Sequence, residues 1–309
     1  MTLNELYQEY RDGKLEKHRY IEMMHEKHRL LFEYFDYIQD ADVDSITITR
    51  NGIVLKTHDF GISMMIDQFD SRFIPIELMN FKSFDPVERE LIFECAKHSK
   101  TIFDIGANIG WYTLNFCRLH NVDSVYSFEP IPRTYEYLRR HIDMNLCTKA
   151  ILNNFALSDS NGSVEFFWNA KETGSSSMMN IQDRDDCQRI LCPTRTVDSF
   201  CEEHGIQVDM IKCDVEGAEL LVFCGSQNIL ERDKPFVFTE MLRKWSAKFG
   251  YHPNDIIRLF VSFRYRCFAV DDGVWTEFAA ISDKTSPTNF FFFHDVKHAD
   301  IIQLLDNSN

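Results

Sequence analysis

Apolar residues in the first forty positions recur at helical spacing. Leu3, Leu6, Tyr7 and Tyr10 share one face and Gly13 interrupts; Tyr20, Ile21, Met24, Leu30, Leu31, Tyr34 and Phe35 then recur among Lys, Glu, His and Arg. This predicts a helical arm over 1–40 that packs either on its own domain or on a second subunit. Between 44 and 66 the period changes to two. Ser45–Thr49 alternates, Asn51-Gly52 makes a hairpin turn, Ile53–Thr57 follows, and Ile62–Ile66 suits a further short strand. Residues 70–84 show no clear period and suit a domain seam better than a substrate wall. Asp85-Pro86 can start a helix over Val87–Ala96.

From Thr101 onward strands and helices alternate. Strands at Thr101–Ile105, Ser124–Phe128 and Ala150–Ala156 are separated by helices at Gly110–Leu119 and Arg133–Met144. An extra strand is expected at Ser163–Trp168, and a short one at Thr194–Asp198 that ends in an acid and leads into a helix to about Glu203. Val208–Asp214 and Pro235–Glu240 read as strands, with helices through Leu220–Phe223 and over Pro253–Phe260. Arg264–Val270 and Asn289–His294 read as closing strands, separated by a short strand pair around Val274–Ala280. The alternation predicts an α/β fold with a parallel sheet covered by helices. Lys171–Cys192, which includes Gly174, Ser175, Ser176, Ser177, Met178 and Met179, is the longest poorly patterned segment. In a compact domain such a segment is either a lid or a loop with no role.

Composition narrows the class. A chain of 309 residues can hold one large domain and an appendage. A formal net charge of −15 argues against a nucleic-acid partner. The nine cysteines include no C-x-x-C pair, and Cys95, Cys117, Cys213 and Cys224 sit in apolar runs that suit buried reduced thiols. The polar, acidic start is unlike a secretory signal, and no apolar run is long enough to span a bilayer. A cytoplasmic enzyme without stable membrane insertion is the expectation.

Two stretches carry chemistry. In Thr101–Thr113, TIFDIGANIGWYT, a strand runs into a glycine turn and then a helix. Such a turn presents backbone N–H groups to a nucleotide-like ligand. Its glycines are spaced G-x-x-x-G rather than in the dinucleotide pattern G-x-G-x-x-G, which counts against a NAD-dependent dehydrogenase. Asp104, just before the turn, suits a cofactor carrying positive charge, such as S-adenosylmethionine (SAM), better than a pyrophosphate. Glu129-Pro130 ends the next strand, where an acid can accept ribose hydroxyls. The second stretch is Val208–Glu219, where Asp214 and Glu216 fall at a strand tip and a helix opening. Asp104, Glu129, Asp214 and Glu240 all end strands and are therefore expected along one rim. Period two places Met210, Lys212 and Asp214 on one face, and a lysine inside an apolar strand needs a carboxylate partner. Glu216 and Glu219 could instead simply neutralise a helix N-terminus.

Together, FDIGANIGWYT (Phe103–Thr113), FEP (Phe128–Pro130), the ALSD beginning at Ala156 and IKCDVEGAE (Ile211–Glu219) resemble the FkbM family of SAM-dependent methyltransferases. The resemblance covers roughly Phe103–Phe293. It implies a Rossmann-like class I methyltransferase fold, with a seven-stranded, mostly parallel sheet and an antiparallel last strand. It also implies O-methylation, often of sugar hydroxyls in glycans, glycolipids or nucleotide sugars and sometimes of polyketide-type molecules. A non-catalytic SAM-binding assembly protein is the reading from another class. The expected organisation is a helical arm (1–40), a hairpin with a connecting segment (41–90) and a methyltransferase domain (91–309). Cofactor-binding candidates are Asp104, Gly106, Asn108, Gly110, Glu129, Pro130, Ala156 and Asp214. Catalytic candidates are Asp214 and Glu216, then Lys212 and Glu240, with His252 behind them. No metal ligands are assigned, since Asp214 with Glu240 alone makes a thin case for a divalent cation. The expected partner is a small-molecule or glycan acceptor, and the arm could pair two subunits.

Overall fold

The computed structural model describes the chain apart from Asp85, Ala170, Glu172, Thr173, Ser175, Asp272 and residues 307–309, and apart from the side chains of Val87 and Glu88. The expected helix start at Asp85 and the Ser175 portion of the expected lid thus lie outside the described residues.

The arm is a helical hairpin. A capping box opens α1 (Leu3–Arg11): Thr2 accepts from the Glu5 N–H at 3.2 Å, and Glu5 accepts from the Thr2 N–H at 2.7 Å. The chain turns at Gly13 (φ +70°) into α2 (Lys17–Tyr37), and Tyr10 stacks on Tyr20 with ring centroids 4.5 Å apart. A three-stranded antiparallel sheet follows, built from β1 (Val43–Thr49), β2 (Gly52–Thr57) and β3 (Ser63–Met65). The aperiodic segment 70–84 contains a helix, α3 (Ile74–Phe81), with Pro75 in its first turn, and α4 (Pro86–Ala96) comes next.

The small sheet is not a separate body. Val43, Leu55, Ile62 and Met64 belong to the same buried core as Ile102, Leu114 and Phe116 of the α/β unit. The seam is fastened by His141, whose Nε2 accepts from the Met65 N–H at 3.0 Å while Nδ1 donates to the Ile109 carbonyl at 2.8 Å.

In the main unit, β4 (Thr101–Ile105), α5 (Trp111–Arg118), β5 (Ser124–Phe128), α6 (Pro132–Met144) and β6 (Ala150–Asn153) form the first parallel crossovers. The expected strand Ala150–Ala156 is divided. Its end is β7 (Ala156–Leu157), which joins a second small sheet with β8 (Gly162–Trp168) and β9 (Gln188–Arg195). β9 takes up the end of the unpatterned segment as well as the start of the expected Thr194–Asp198 strand. Asp198 therefore ends no strand. It lies in the first turn of α7 (Val197–His204) and accepts from the Asn228 and Ile229 N–H groups at 3.0 and 3.1 Å. Next come β10 (Met210–Cys213), α8 (Glu219–Cys224), α9 (Gln227–Arg232), β11 (Phe236–Glu240), α10 (Arg243–Ser246) and α11 (Pro253–Ser262). β12 (Tyr265–Asp271), β13 (Val274–Glu277), β14 (Asn289–His294) and α12 (Ala299–Asp306) complete the unit. The pair expected around Val274–Ala280 is thus the single strand β13.

The large sheet has eight strands in the order β13-β12-β14-β11-β10-β4-β5-β6. It is parallel from β11 to β6, and β14 runs antiparallel to β11 and β12. This is the expected class I arrangement with its antiparallel last strand, plus β13 at one edge. Both faces are covered, which explains four consecutive phenylalanines in β14. Phe290 and Phe292 enter the core on one side and Phe291 and Phe293 the core on the other.

Two thiol expectations are corrected. Cys117 is disulfide-bonded to Cys147, joining the end of α5 to the loop after α6, and Cys224 is exposed. Cys213 is buried and Cys95 half-buried. Among the described residues, no helix is long and apolar enough to cross a membrane.

Candidate active site

The parallel strands deliver their carboxyl ends to one rim, and two cavities open there. The first lies between the turn after β4, the tip of β5 and the loop after β10. Gly106, Asn108, Glu129, Pro130, Ala156, Asp214 and Glu216 line it, with Leu157, Phe166 and Met178 as an apolar end. Among the described residues, its lining holds acids but no Lys, Arg or His.

The glycine turn is shaped by close packing. Gly106 has φ +73°, and a Cβ there would lie 1.8 Å from the Asp214 carbonyl oxygen, so the turn can cross the tip of β10 only without a side chain. Glu129 holds the crevice wall. One oxygen accepts from the Asn108 N–H at 3.0 Å and the other from the Ile131 N–H at 2.9 Å. Burial nevertheless pushes its pKa up to about 7, against these hydrogen bonds. Asn108 adopts φ +49°, and its Oδ1 is buried with no hydrogen-bond partner among the described residues.

Two expected cofactor residues do not reach this crevice. Asp104 is fully buried inside β4, where it accepts from the Thr113 hydroxyl at 2.6 Å and lies 3.5 Å from Lys212 Nζ. β4 and β10 are in register at this point, so Asp104 faces Lys212 across the sheet rather than the rim. Gly110 (φ +97°) opens α5, and a Cβ there would lie 2.6 Å from Leu138 Cδ1. Its requirement is helix packing.

The second cavity, of about 790 Å³, adjoins the first and shares Gly106, Asn108, Gly174, Asp214 and Glu216 with it. Lys212, Glu240, Tyr112 and Trp245 line it from the α/β unit, and Arg72, Glu77 and Phe84 line it from the segment before the main sheet. The segment expected to be a seam is therefore also a wall.

All four expected catalytic residues border this second cavity. Lys212 is buried, donates to the Gly106 carbonyl at 3.0 Å and lies 3.7 Å from Asp214 Oδ2. Burial opposes its charge, but Asp104 and Asp214 outweigh that and hold its pKa above the ordinary lysine value. An ammonium so held fixes the turn and Asp214 in place and is a poor proton donor. One oxygen from each of Asp214, Glu216 and Glu240 lies within 4.8 Å of the others. Burial first, then repulsion from Asp214, Glu240 and Glu219, raises Glu216 well above the usual carboxylate range. Three carboxylates this close can share a proton or hold a divalent cation.

Glu219 has a different place from the rim acids. Its Oε1 accepts from the Val215 and Gly217 N–H groups, each at 3.1 Å, and Oε2 accepts from the Tyr251 hydroxyl at 3.2 Å. It moulds the loop that presents Glu216 (φ +55°), and burial raises its pKa to about 7. His252 borders neither cavity; it caps α11, accepting from the Asn254 N–H at 3.2 Å. Asn108 was among the expected cofactor residues, whereas the cleft residues Arg72, Glu77 and Trp245 carried no signal in the sequence as site residues. The expected lid supplies Ser176 and Met178 to the first cavity, and Ser177 donates to the Glu216 carbonyl at 2.8 Å.

Residues 104–267 match the Methyltransferase FkbM domain. The chain belongs to this family. Curated relatives include 2-O-methyltransferase NoeI of Sinorhizobium fredii, 30% identical over 169 residues, covering 50% of this chain and 68% of the relative. Hexuronic acid methyltransferase AglP of Haloferax volcanii is 26% identical, covering 55% of this chain and 64% of the relative. Among solved structures, Methyltransferase FkbM from Methylobacillus flagellatus aligns with a TM-score of 0.40 and 17% identity, over 63% of this chain and 44% of that one. The FkbM match covers the glycine turn, Glu129, the rim acids and α11. It leaves out the arm, the small β1–β3 sheet and the cleft residues Arg72, Glu77 and Phe84.

Proposed function

We propose that the protein is a SAM-dependent O-methyltransferase acting on a sugar hydroxyl of a glycan, glycolipid or nucleotide sugar. The observation that carries this reading is a carboxylate-lined crevice, without basic residues among those described, that opens across Asp214 and Glu216 onto a second cleft. A cationic sulfonium ligand suits such a lining; a pyrophosphate does not. The donor set fits the cofactor. Glu129 faces the crevice from the β5 tip, where ribose hydroxyls would be accepted; Asn108 Oδ1 is an unused acceptor; and Leu157, Phe166 and Met178 offer an apolar slot to a purine. When bound, the cofactor supplies an electrophilic methyl group on sulfur.

The residues of this chain do the rest. The shared edge of the two cavities is where an acceptor hydroxyl would meet the cofactor, and positioning of this kind can supply several kcal/mol of the barrier reduction, on the order of 7–11 in the best intramolecular cases. Glu216, whose pKa is raised, is suited to take the hydroxyl proton as that oxygen becomes nucleophilic. Asp214, held by Lys212, orients the hydroxyl. A sugar acceptor is supported by the relative named a hexuronic acid methyltransferase, and transfer to oxygen by the one named a 2-O-methyltransferase.

The test is transfer of labelled methyl from SAM to a panel of nucleotide sugars, glycans and phenols, with SAM binding measured separately by calorimetry. Label on a sugar hydroxyl is expected. Binding with transfer only to phenols would refute the acceptor class, and absence of SAM binding would refute the cofactor.

A further inference from the structure

The helical arm carries an apolar surface that none of the described residues covers. α2 has no buried residue along its length. A 21-residue helix is about 31 Å long, whereas the nine-residue α1 reaches only about 13 Å along it. α1 covers the first half, where Leu6 is fully buried and Tyr10 stacks on Tyr20. Beyond it Leu30, Leu31, Phe32, Tyr34 and Phe35 are 47–66% exposed. So dense an exposed apolar stretch marks an interaction site.

The spacing of this surface suits another helix. Ile21, Met24, His28, Leu31 and Phe35 follow one another at intervals of three and four, the seam of a paired coil, and Phe32 widens it. Charge then selects the occupant and its direction. The first half of α2 holds Lys17, Arg19, Lys27 and Arg29 against Glu22 and Glu26. Arg19 pairs with Glu22 at 3.1 Å and Arg29 with Glu26 at 3.3 Å, which leaves Lys17 and Lys27 as the excess positive charge. The second half, Leu30 to Tyr37, holds Glu33 and Asp36 and no Lys or Arg. Two copies of α2 laid antiparallel about an axis near Leu31 set the acidic stretch of Glu33 and Asp36 beside the other copy's stretch around Lys27 and Arg29, whereas a parallel pair sets Glu33 and Asp36 against themselves. A two-fold axis near Leu31 also brings the bare apolar halves together, because such an interface meets itself.

We propose that the protein is a homodimer in which two α2 helices pair antiparallel about a two-fold axis near Leu31. The pairing is independent of the chemistry at the rim.

The experiment uses the full chain. Light scattering at tens of micromolar should give twice the chain mass. Leu31→Glu with Phe35→Glu, both at exposed positions, should leave the circular dichroism spectrum unchanged and raise the dimer dissociation constant about a hundredfold or more. Leu31→Cys should cross-link under mild oxidation beyond the wild-type background, while Ile21→Cys, displaced from the axis in an antiparallel pair, should not. A monomeric wild-type chain, or a dimer indifferent to the double substitution, overturns the proposal. Equal cross-linking at both positions refutes the antiparallel arrangement. A monomer that co-sediments with phosphatidylcholine–phosphatidylglycerol vesicles assigns the surface to lipid instead.

Discussion

At the residue scale, each rim carboxylate has its own environment, and the environment assigns its task. Glu129 is fixed by two backbone N–H groups and faces the crevice, so Glu129→Ala should weaken SAM binding by roughly ten- to a hundredfold in calorimetry, the loss typical of a charged hydrogen-bond partner. Unchanged affinity in a folded variant would remove it from the cofactor site. Asp214 and Glu216 are adjacent in the loop but differ in what holds them. Lys212 lies 3.7 Å from Asp214, whereas burial and repulsion disfavour the charge on Glu216. A base must be deprotonated to act, so kcat should rise with pH through a group titrating well above an ordinary carboxylate. Glu216→Gln should abolish that limb and lower kcat by about 10²–10⁴-fold. Asp214→Asn should instead act mainly on acceptor KM, with a smaller change in kcat. Chelation separates the two uses of the cluster: loss of wild-type activity in EDTA with recovery in Mg²⁺ or Mn²⁺ would assign it to a cation, and indifference would leave it as proton acceptor.

At the element scale, α6 holds the glycine turn and the small sheet together through His141. Burial pushes its pKa down to about 4, so the folded protein keeps it neutral while the unfolded chain protonates near 6.5. Between those values the unfolded state binds more protons. The stability contributed by neutral His141 is therefore complete above about 6.5 and lost as pH falls toward 4, up to roughly 3 kcal/mol for such a shift. Glu129 and Glu219, raised to about 7, act oppositely: their contribution is present below the ordinary glutamate range and is lost as pH rises toward 7. Comparing wild type with His141→Gln isolates the histidine. The stability gap between them in urea should shrink from pH 7 to pH 4, and a constant gap would mean His141 is not buried neutral. Near the same helix, the Cys117–Cys147 disulfide spans a sequence separation of 30. Closing a loop of that size is worth about 3–4 kcal/mol in the chain-entropy description, so reductant or Cys117→Ser should lower the denaturation midpoint accordingly.

At the scale of the whole molecule, the two cavities come from different parts of the chain. The first is built within residues 105–218, inside the family-matched segment, while the second borrows Arg72, Glu77 and Phe84 from outside it. Arg72 and Glu77 form an ion pair at 2.6 Å on that wall. Arg72→Ala should raise acceptor KM, by about tenfold if the side chain touches the acceptor, and leave the SAM dissociation constant unchanged. A matching loss of SAM affinity would show that the two cavities are not separable.

Local pattern decided much of this protein. Period two and period 3.6 placed the strands of the large sheet between Thr101 and His294 and several of the helices between them, because both faces of that sheet are covered and its strands read as apolar runs. Strand ends bearing Glu129, Asp214 and Glu240 announced the rim, because parallel strands deliver their carboxyl ends to one side. Tertiary structure decided what pattern cannot encode. Asp104 resembled a rim acid, but its cross-strand register with Lys212 turned it into the core. Gly110 resembled a ligand glycine but is required by Leu138. Asp198 resembled a strand tip until β9 ended at Arg195 and helix geometry claimed it. The acceptor wall from residues 72–84 and the Cys117–Cys147 bond depend on partners distant in sequence. No spacing rule reaches that far, because those pairings are set by packing the small sheet against α6 and by the distance between two helix ends.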